Sequence, residues 1–399
     1  MRKTVTIGDL GTIITGNTPP RDHPELYGNH TPFVKATDIS ETEKFTYNPE
    51  ECYSKEGYDK YIRSIVPKGS TCVVTIGSIG KKMTMAHCDM FINQAMNAII
   101  PNENFDKEFV YYAVKNVLPN IKGLDSGTAS GRENVSKSAF SKMEVLVDDD
   151  IEIQHRIATI LSRYDALIEN YQKQIRLLEE AAQRLYKEWF VDLRFPGYEN
   201  VKVVDGVPEG WKRKKVKDIV DLLNGYAFKS TSFEDDGKYK VVTIKNVKDG
   251  VFDGENTSLI RQIPEKMPKH CRLKTGDILL SLTGNVGRIC MVVGDDYLLN
   301  QRVAKLETRY PAFTYCLFRN NDMFISVNNL ANGAAQQNVS PIKIGELNVL
   351  FANDSIMNQL ENHVGTIRNK IINLHAQIRL LTEARDRLLP KLMRGEIEI

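Results

Sequence analysis

At 399 residues the chain is too long for one ordinary core, and 42% hydrophobic with 26% charged residues suits two or three globular domains. The formal net charge of +2 hides an asymmetry. Residues 1–200 carry 24 Lys+Arg against 28 Asp+Glu (−4), and residues 201–399 carry 29 against 23 (+6), which favours an anionic partner for the second half without identifying nucleic acid. Six cysteines (Cys52, Cys72, Cys88, Cys271, Cys290, Cys316) have no C-x-x-C spacing. They predict reduced, mostly buried thiols, with neither a zinc site nor a disulfide scaffold. The start, MRKTVTIGDLG, lacks the apolar core of a signal peptide, and no run approaches a membrane span, so a soluble cytoplasmic protein is expected.

In chain order, VTIGDLGTIITGNTPP reads as a short amphipathic segment closed by a Gly/Pro turn, and TPFVKATDIS as a strand ending in polar residues. The run STCVVTIGSIGKKMTM predicts two strands joined at Gly77–Gly80. An apolar segment follows from Phe91 to Ile100, then a helix over Lys107 to Val117, the loop GLDSGTASGRENVS and a final strand MEVLV. This mixture predicts an α+β domain over 1–150 with much of its surface in loops. A long helix is expected over 151–193, preceded by Asp148–Asp150, whose charge suits the N-terminal end of its dipole. The Pro- and Gly-containing stretch 194–210 reads as a linker. A second domain over 211–352 and a second long helix over 353–394 complete the chain.

The halves repeat. QIRLLEEAAQRLYKEWF (174–190) returns as QIRLLTEARDRLLPKLM (377–393) at an offset of 203, with nine of seventeen positions identical. Apolar residues spaced alternately by four and three run through Ile157, Leu161, Ile168, Ile175, Leu178 and Leu185, and again through Leu360, Val364, Ile371, Ile378, Leu381 and Leu388. Such a 3.5-residue period predicts an antiparallel two-helix coiled coil between the two α+β domains. Arg385 interrupts the period where the first copy has Ala182. In the domains, Gly276, Gly284 and Gly287 answer Gly69, Gly77 and Gly80 at an offset of 207, Asn300–Gln301 answers Asn93–Gln94, and Asn-Val-Ser recurs at 134–136 and 338–340.

GSIGKK (77–82) has two residues between its glycines where a phosphate-binding loop needs four before Gly-Lys, so a strand-joining turn is the plainer reading. The turn can also bring Lys81, Lys82 and Arg288 against a nucleic-acid backbone. NTPP (17–20) is split by Thr18 and followed by Arg21, and no methyl-donor fingerprint accompanies it, so it reads as a loop. Arg pairs with guanine and Asn or Gln with adenine in the major groove. Arg132, Asn134, Gln336, Gln337 and Asn338 carry that chemistry on Gly-containing loops, although the shared Asn-Val-Ser also suits capping. With Lys35, Thr37, Lys245 and Asn246 at the polar ends of matching strands, these residues form the expected DNA-binding set. Lys212 to Lys217 read equally as a solvated edge or a backbone clamp. The histidines have no metal spacing, and no nucleophile–base arrangement supports catalysis.

Together LYKEWFVDLRFPGYE (185–199), VPEGWKRKKVKDI (207–219) and LLPKLMRGEIEI (388–399), with TGDILLSLTGNVG (275–287) and AQQNVS (335–340), resemble the specificity subunit of type I restriction-modification systems over essentially the whole chain. The resemblance implies two pseudo-repeated target-recognition domains and a non-catalytic subunit that reads a bipartite, asymmetric site in double-stranded DNA. It further implies assembly with two modification subunits that methylate adenine, and with two ATP-dependent restriction subunits. The chain itself would bind no cofactor or metal; S-adenosylmethionine, ATP and Mg would sit on those partners. A coiled-coil protein–protein adaptor without DNA readout is the competing reading, favoured by near-neutral charge and opposed by the divergent polar loops. A self-sufficient methyltransferase is opposed by the missing donor motifs.

Overall fold

The computed structural model describes residues 2–125, 127, 133–331 and 337–399. The chain forms two compact units, one of residues 1–170 with 380–399 and the other of residues 171–379.

In the first unit, strands Gly11–Thr15, Met96–Pro101, Thr71–Val74 and Met83–Met85 lie side by side in that order, antiparallel throughout. All four residues of Thr71–Val74 are buried. Val73 faces one apolar core, shared with helix Lys107–Val117, while Cys72 and Val74 face another. A strand covered on both sides reads as a continuous apolar run rather than an alternating one. A second sheet runs in the order Tyr27–Gly28, Glu51–Tyr53, Thr31–Val34, Phe91–Ile92. The apolar segment expected over Phe91 to Ile100 is therefore two strands in different sheets. They are split by a turn in which the Met96 amide donates to the Asn93 carbonyl at 3.1 Å. Arg2–Thr6 pairs with Glu144–Asp148.

The second unit repeats this plan. Val220–Asn224, Val303–Thr308, Ile278–Ser281 and Ile289–Met291 form the antiparallel sheet, and Ser258–Ile260, Tyr239–Val242 and Tyr297–Leu299 the second one. Even the register agrees: Thr71 lies opposite Ile99, and Ile278 opposite Leu306, both pairs 207 positions on. Lys212–Lys215 pairs with Asn348–Phe351. The stretch read as a linker is folded, with a hairpin of Val203–Val204 and Val207–Pro208 and a buried Phe195 ring 4.6 Å from that of Trp211.

Two long helices, Ile151–Phe190 and Asp354–Arg394, each contribute to both units. At 1.5 Å per residue each is about 60 Å long. Their starts are capped alike: the Asp150 carboxylate accepts from the Glu152 amide at 2.9 Å and the Asn353 side chain from that of Ile356 at 3.1 Å. The first ends before Pro196, with Leu193 in the left-handed region (φ 57°). Within the first unit Ile157, Ala158 and Leu161 share a core with Leu389, Leu392 and Met393, while Leu388 is only partly buried. Within the second, Ile175 and Ala182 share one with Leu360, Val364, Ile371 and Leu374, and Leu178, Leu185 and Ile378 pack at its margin. Ile168 is also buried, and Leu381 is half-buried.

Arg385, the interruption in the apolar period, is 3% exposed. Its guanidinium donates to Asp165 Oδ1 at 2.5 Å and to Asp386 at 2.8 Å. The second oxygen of Asp165 accepts from the Tyr112 hydroxyl at 2.5 Å, and burial together with that carboxylate drives the phenol well above its ordinary range. A charge in the seam is tolerated because its partner comes from the facing helix. Removing one member of such a pair leaves the other buried and uncompensated, which costs about 3–5 kcal/mol. Arg385→Ala is therefore expected to lower unfolding free energy by that amount in urea titration, whereas Arg387→Ala, on the exposed face, changes it by less than about 0.5 kcal/mol.

Candidate nucleic-acid interface

In each unit three segments meet at one end of the antiparallel sheet. The first is the glycine turn. Gly77 and Gly80 adopt φ of 92° and 71°, and Gly284 and Gly287 adopt 71° and 83°, a region that suits glycine and fixes these positions for steric reasons. The second is the segment carrying Asn-Val-Ser. The Gly77 amide donates to the Glu133 carbonyl at 2.9 Å and that of Val135 to Thr75 at 2.8 Å. In the other unit the Gly284 amide donates to Gln337 at 3.0 Å and that of Val339 to Leu282 at 2.9 Å. The third is the turn after the parallel-paired strand. Lys82 Nζ reaches the Ala36 carbonyl at 3.3 Å, and a Cβ on Gly284 would lie 3.2 Å from the Ile244 side chain.

Of the shared residues, the valines and serines serve the framework, while Asn338 is exposed. Val135 and Val339 are each 2% exposed. Ser136 and Ser340 cap the short helices Lys137–Ser141 and Pro341–Gly345, accepting from the Ala139 and Ile342 amides. Thr283 donates to Asn338 Oδ1 at 2.9 Å. Asn134 is half-buried, and its amide donates to Asp125 at 2.7 Å. Asn93 and Asn300 are held by backbone bonds to Val34 and Val242, both 3.1 Å. Their carbonyls press so close on Gly16 and Gly225 that a Cβ there would lie 2.1 and 2.2 Å away.

Lys81, Thr37, Lys245 and Gln337 are exposed, and Arg288 and Lys82 are half-buried. Arg132 and Gln336 lie outside the described residues. Lys35 is half-buried with its ammonium against Glu50 and, at 3.3 Å, Glu51. The Glu50 contact raises its pKa, so its charge is already answered within the protein. Asn246 requires a correction. It is fully buried, with Oδ1 accepting from the Thr243 amide and hydroxyl at 2.8 and 3.1 Å and Nδ2 donating to the Asp253 and Asn256 carbonyls at 2.8 and 3.0 Å. Every hydrogen-bonding position of the amide is used, and none remains for a base edge. Of the basic run, Lys215 and Lys217 both bind Glu346, pulling its carboxyl down to about 2, and Lys214 lies 4.0 Å over the Phe351 ring. Lys212 and Arg213 are exposed.

Sequence reasoning missed what covers the second glycine of each turn. A Cβ on Gly80 would meet the Lys122 stem at 3.0 Å, and one on Gly287 would meet Asn328 and Phe324 at 3.1 and 3.2 Å. One unit thus puts a cation beside the turn and the other an amide and an aromatic ring. Among the described residues no cluster of His, Cys, Asp and Glu could hold a metal, and no helix is long and apolar enough to cross a membrane. All six cysteines are unpaired, and burial pushes the Cys72 thiol up to about 12.

Residues 2–180 and 208–370 match the family model of the type I restriction modification DNA specificity domain. The specificity subunit of the type I restriction enzyme MjaIX from Methanocaldococcus jannaschii is 26% identical over 418 residues, covering 98% of this chain and 93% of its own. That of the type I restriction enzyme HindI from Haemophilus influenzae is 29% identical over 175 residues, 43% of this chain and 38% of its own. Among solved structures, the S subunit of a type I restriction-modification system from M. genitalium has a TM-score of 0.57 at 17% identity, covering 98% of this chain and 96% of that one, a likeness of fold.

Because the Asn246 side chain makes four hydrogen bonds to three residues, Asn246→Ala leaves buried donors and acceptors unmatched, at about 1–3 kcal/mol. A fall of that size in unfolding free energy, read from denaturant midpoints, is the expected outcome. A base-reading residue with no structural role would leave the midpoint unchanged.

Proposed function

The chain belongs to the type I restriction-modification specificity family, and on that premise we propose that the three-segment surface of each unit reads one half of a bipartite DNA target. One observation carries this reading: the same backbone framework recurs in both units with different side chains on it. Related frameworks present related geometry to the duplex, while Lys81 and Lys82 against Arg288, or Glu133 against Gln337, give each half-site its own chemistry. An asymmetric target follows. The surface offers cations for phosphates and amides for base edges.

The long helices form the proposed antiparallel coiled coil. Two pairings within the first unit support it: Asp165 meets Arg385, and Arg156 donates to the Ile399 carbonyl at 3.4 Å, so position rises along one segment as it falls along the other. With its length fixed by hydrogen-bonded backbone, such a pair can act as a ruler for the unread bases between half-sites. Its outward faces include Leu177 and Leu380, matching positions in the repeat that are each 56% exposed. Apolar residues at matching exposed positions suit docking of two copies of a partner. Those partners are the modification subunits, which would carry S-adenosylmethionine and methylate adenine, and in the full enzyme the restriction subunits with ATP and Mg. The complex would work in the cytoplasm, where its DNA lies.

Exchanging residues 1–150 for the first domain of another family member should alter one half-site and leave the other intact. Mapping methylated adenines in cells carrying the chimera and its modification subunit reads this directly, and a change in both half-sites contradicts it. Phosphate neutralisation makes a second prediction. Lys81→Ala and Lys245→Ala in the assembled complex should each weaken binding to all duplexes alike and make the log–log salt dependence shallower by about one unit. An adaptor that does not touch DNA would show no such slope.

A further inference from the structure

Each unit ties its reading surface to a long helix by a chain of polar contacts, and the two chains are built from different residues. In the first unit Lys44 is fixed to the strand leaving the glycine turn, its carbonyl accepting from the Met85 amide at 2.8 Å and the Thr84 hydroxyl at 3.1 Å. Its ammonium is buried against the Glu108 carboxylate, 3.4 Å from the Tyr112 hydroxyl and 4.9 Å over that ring. Glu108 and Tyr112 belong to helix Lys107–Val117, and Tyr112 donates to Asp165 of the long helix. In the second unit Asp249 stands beside the corresponding strand, two residues nearer the glycine turn: the following amide, of Gly250, donates to Ile289 at 2.8 Å, whereas the register counterpart of Met85 is Met291. Asp249 pairs with Arg319 of helix Pro311–Arg319. From that helix Tyr315 donates to Glu179 of the long helix at 2.7 Å, with Arg319 Nε 3.8 Å from the same carboxylate.

The polarity is reversed: the cation is on the loop side in one unit and on the helix side in the other. The residues do not correspond either. By the match of FVYYAVKN (109–116) to FTYCLFRN (313–320), Tyr112 answers Cys316 and Tyr315 answers Tyr111. Among the long-helix carboxylates, Asp165 answers Arg368 at the offset of 203. Shared ancestry of the two halves therefore does not account for both contacts; the same mechanical connection is made twice. Packing alone needs no such contact, because burial of these polar groups is costly unless they are joined.

Resting on the DNA-reading function proposed above, we infer that Tyr112 and Tyr315 are positioning residues, each holding its own unit's reading surface at a fixed attitude to the long-helix segment within that unit. With the hydroxyl gone, the short helix and the strand attached to it can tilt, and base-edge hydrogen bonds tolerate little tilt. Discrimination between right and wrong bases falls, and only in the half-site which that unit reads.

The test uses the full chain assembled with its modification subunits, as wild type, Tyr112→Phe and Tyr315→Phe. Methylation kinetics are measured on duplexes carrying one base-pair substitution in either half-site, the domain exchange having shown which unit reads which half. Tyr112→Phe should lower discrimination about tenfold in its half-site through KM, with kcat on the unaltered target held and the other half-site unaffected. Tyr315→Phe should do the converse. Asp249→Asn, at a largely exposed position, should relax the second half-site in the same direction to a smaller degree, and serves if a phenylalanine variant does not fold. If the variants lose activity equally on every duplex, or keep wild-type discrimination, the tyrosines are structural only and the inference is overturned. If the wild type itself does not distinguish the duplexes, it is the proposed function that fails.

Discussion

The buried pair of Asp165 and Arg385 is the contact on which the first unit depends. Two charges in an apolar seam gain little net free energy, because desolvation offsets most of their attraction. What they fix is register. A slip of one helical turn would displace Arg385 by about 5.4 Å and leave both charges buried without partners. The matching positions in the other seam hold Ala182 and Arg368, and Arg368 instead donates to the Gly276 carbonyl, with burial holding its pKa below the ordinary range. Two helices with nine identical residues in seventeen thus have different seams, and only the pairing of the first helix with the second matches Asp165 to Arg385.

The same pair reaches outward. Asp165 accepts from Tyr112 as well as Arg385, and the helix bearing Tyr112 buries Phe109, Val110, Tyr111, Ala113 and Val114 against the sheet. Position in the seam is thereby translated into position of the sheet and of the turn at its end. The second unit reaches the same result by a different cap: Glu361 of the long helix accepts from the Ala312 and Phe313 amides at 3.0 and 2.8 Å, and burial raises its pKa.

Most of the architecture was legible because its signals are local. The 3.5-residue period marked both long helices, and glycine spacing marked turns that need positive φ at Gly77, Gly80, Gly284 and Gly287. In the shared Asn-Val-Ser the valines are buried and the serines cap short helices, as the capping reading expects. Arg385 was opaque because its reason lies 220 positions away, in Asp165. Asn246 misled because a polar residue at a strand end looks available. The informative signal was the three-residue spacing from Thr243, whose amide and hydroxyl both donate to Asn246 Oδ1. Lys35 and Asp38 have the same spacing, with the Lys35 amide donating to Asp38 at 2.8 Å. Asn246 is therefore the counterpart of Asp38, and both close a turn.

The glycine turns are held to the neighbouring segment by main-chain bonds: Gly77 to Glu133, Val135 to Thr75, Gly284 to Gln337 and Val339 to Leu282. None of these bonds consults a side chain. Side chains at Lys81, Glu133 or Gln337 can therefore be replaced without loosening the loops that display them. A protein so built can drift from one target sequence to another in single substitutions, each intermediate still folded, because the part that varies is not the part that holds.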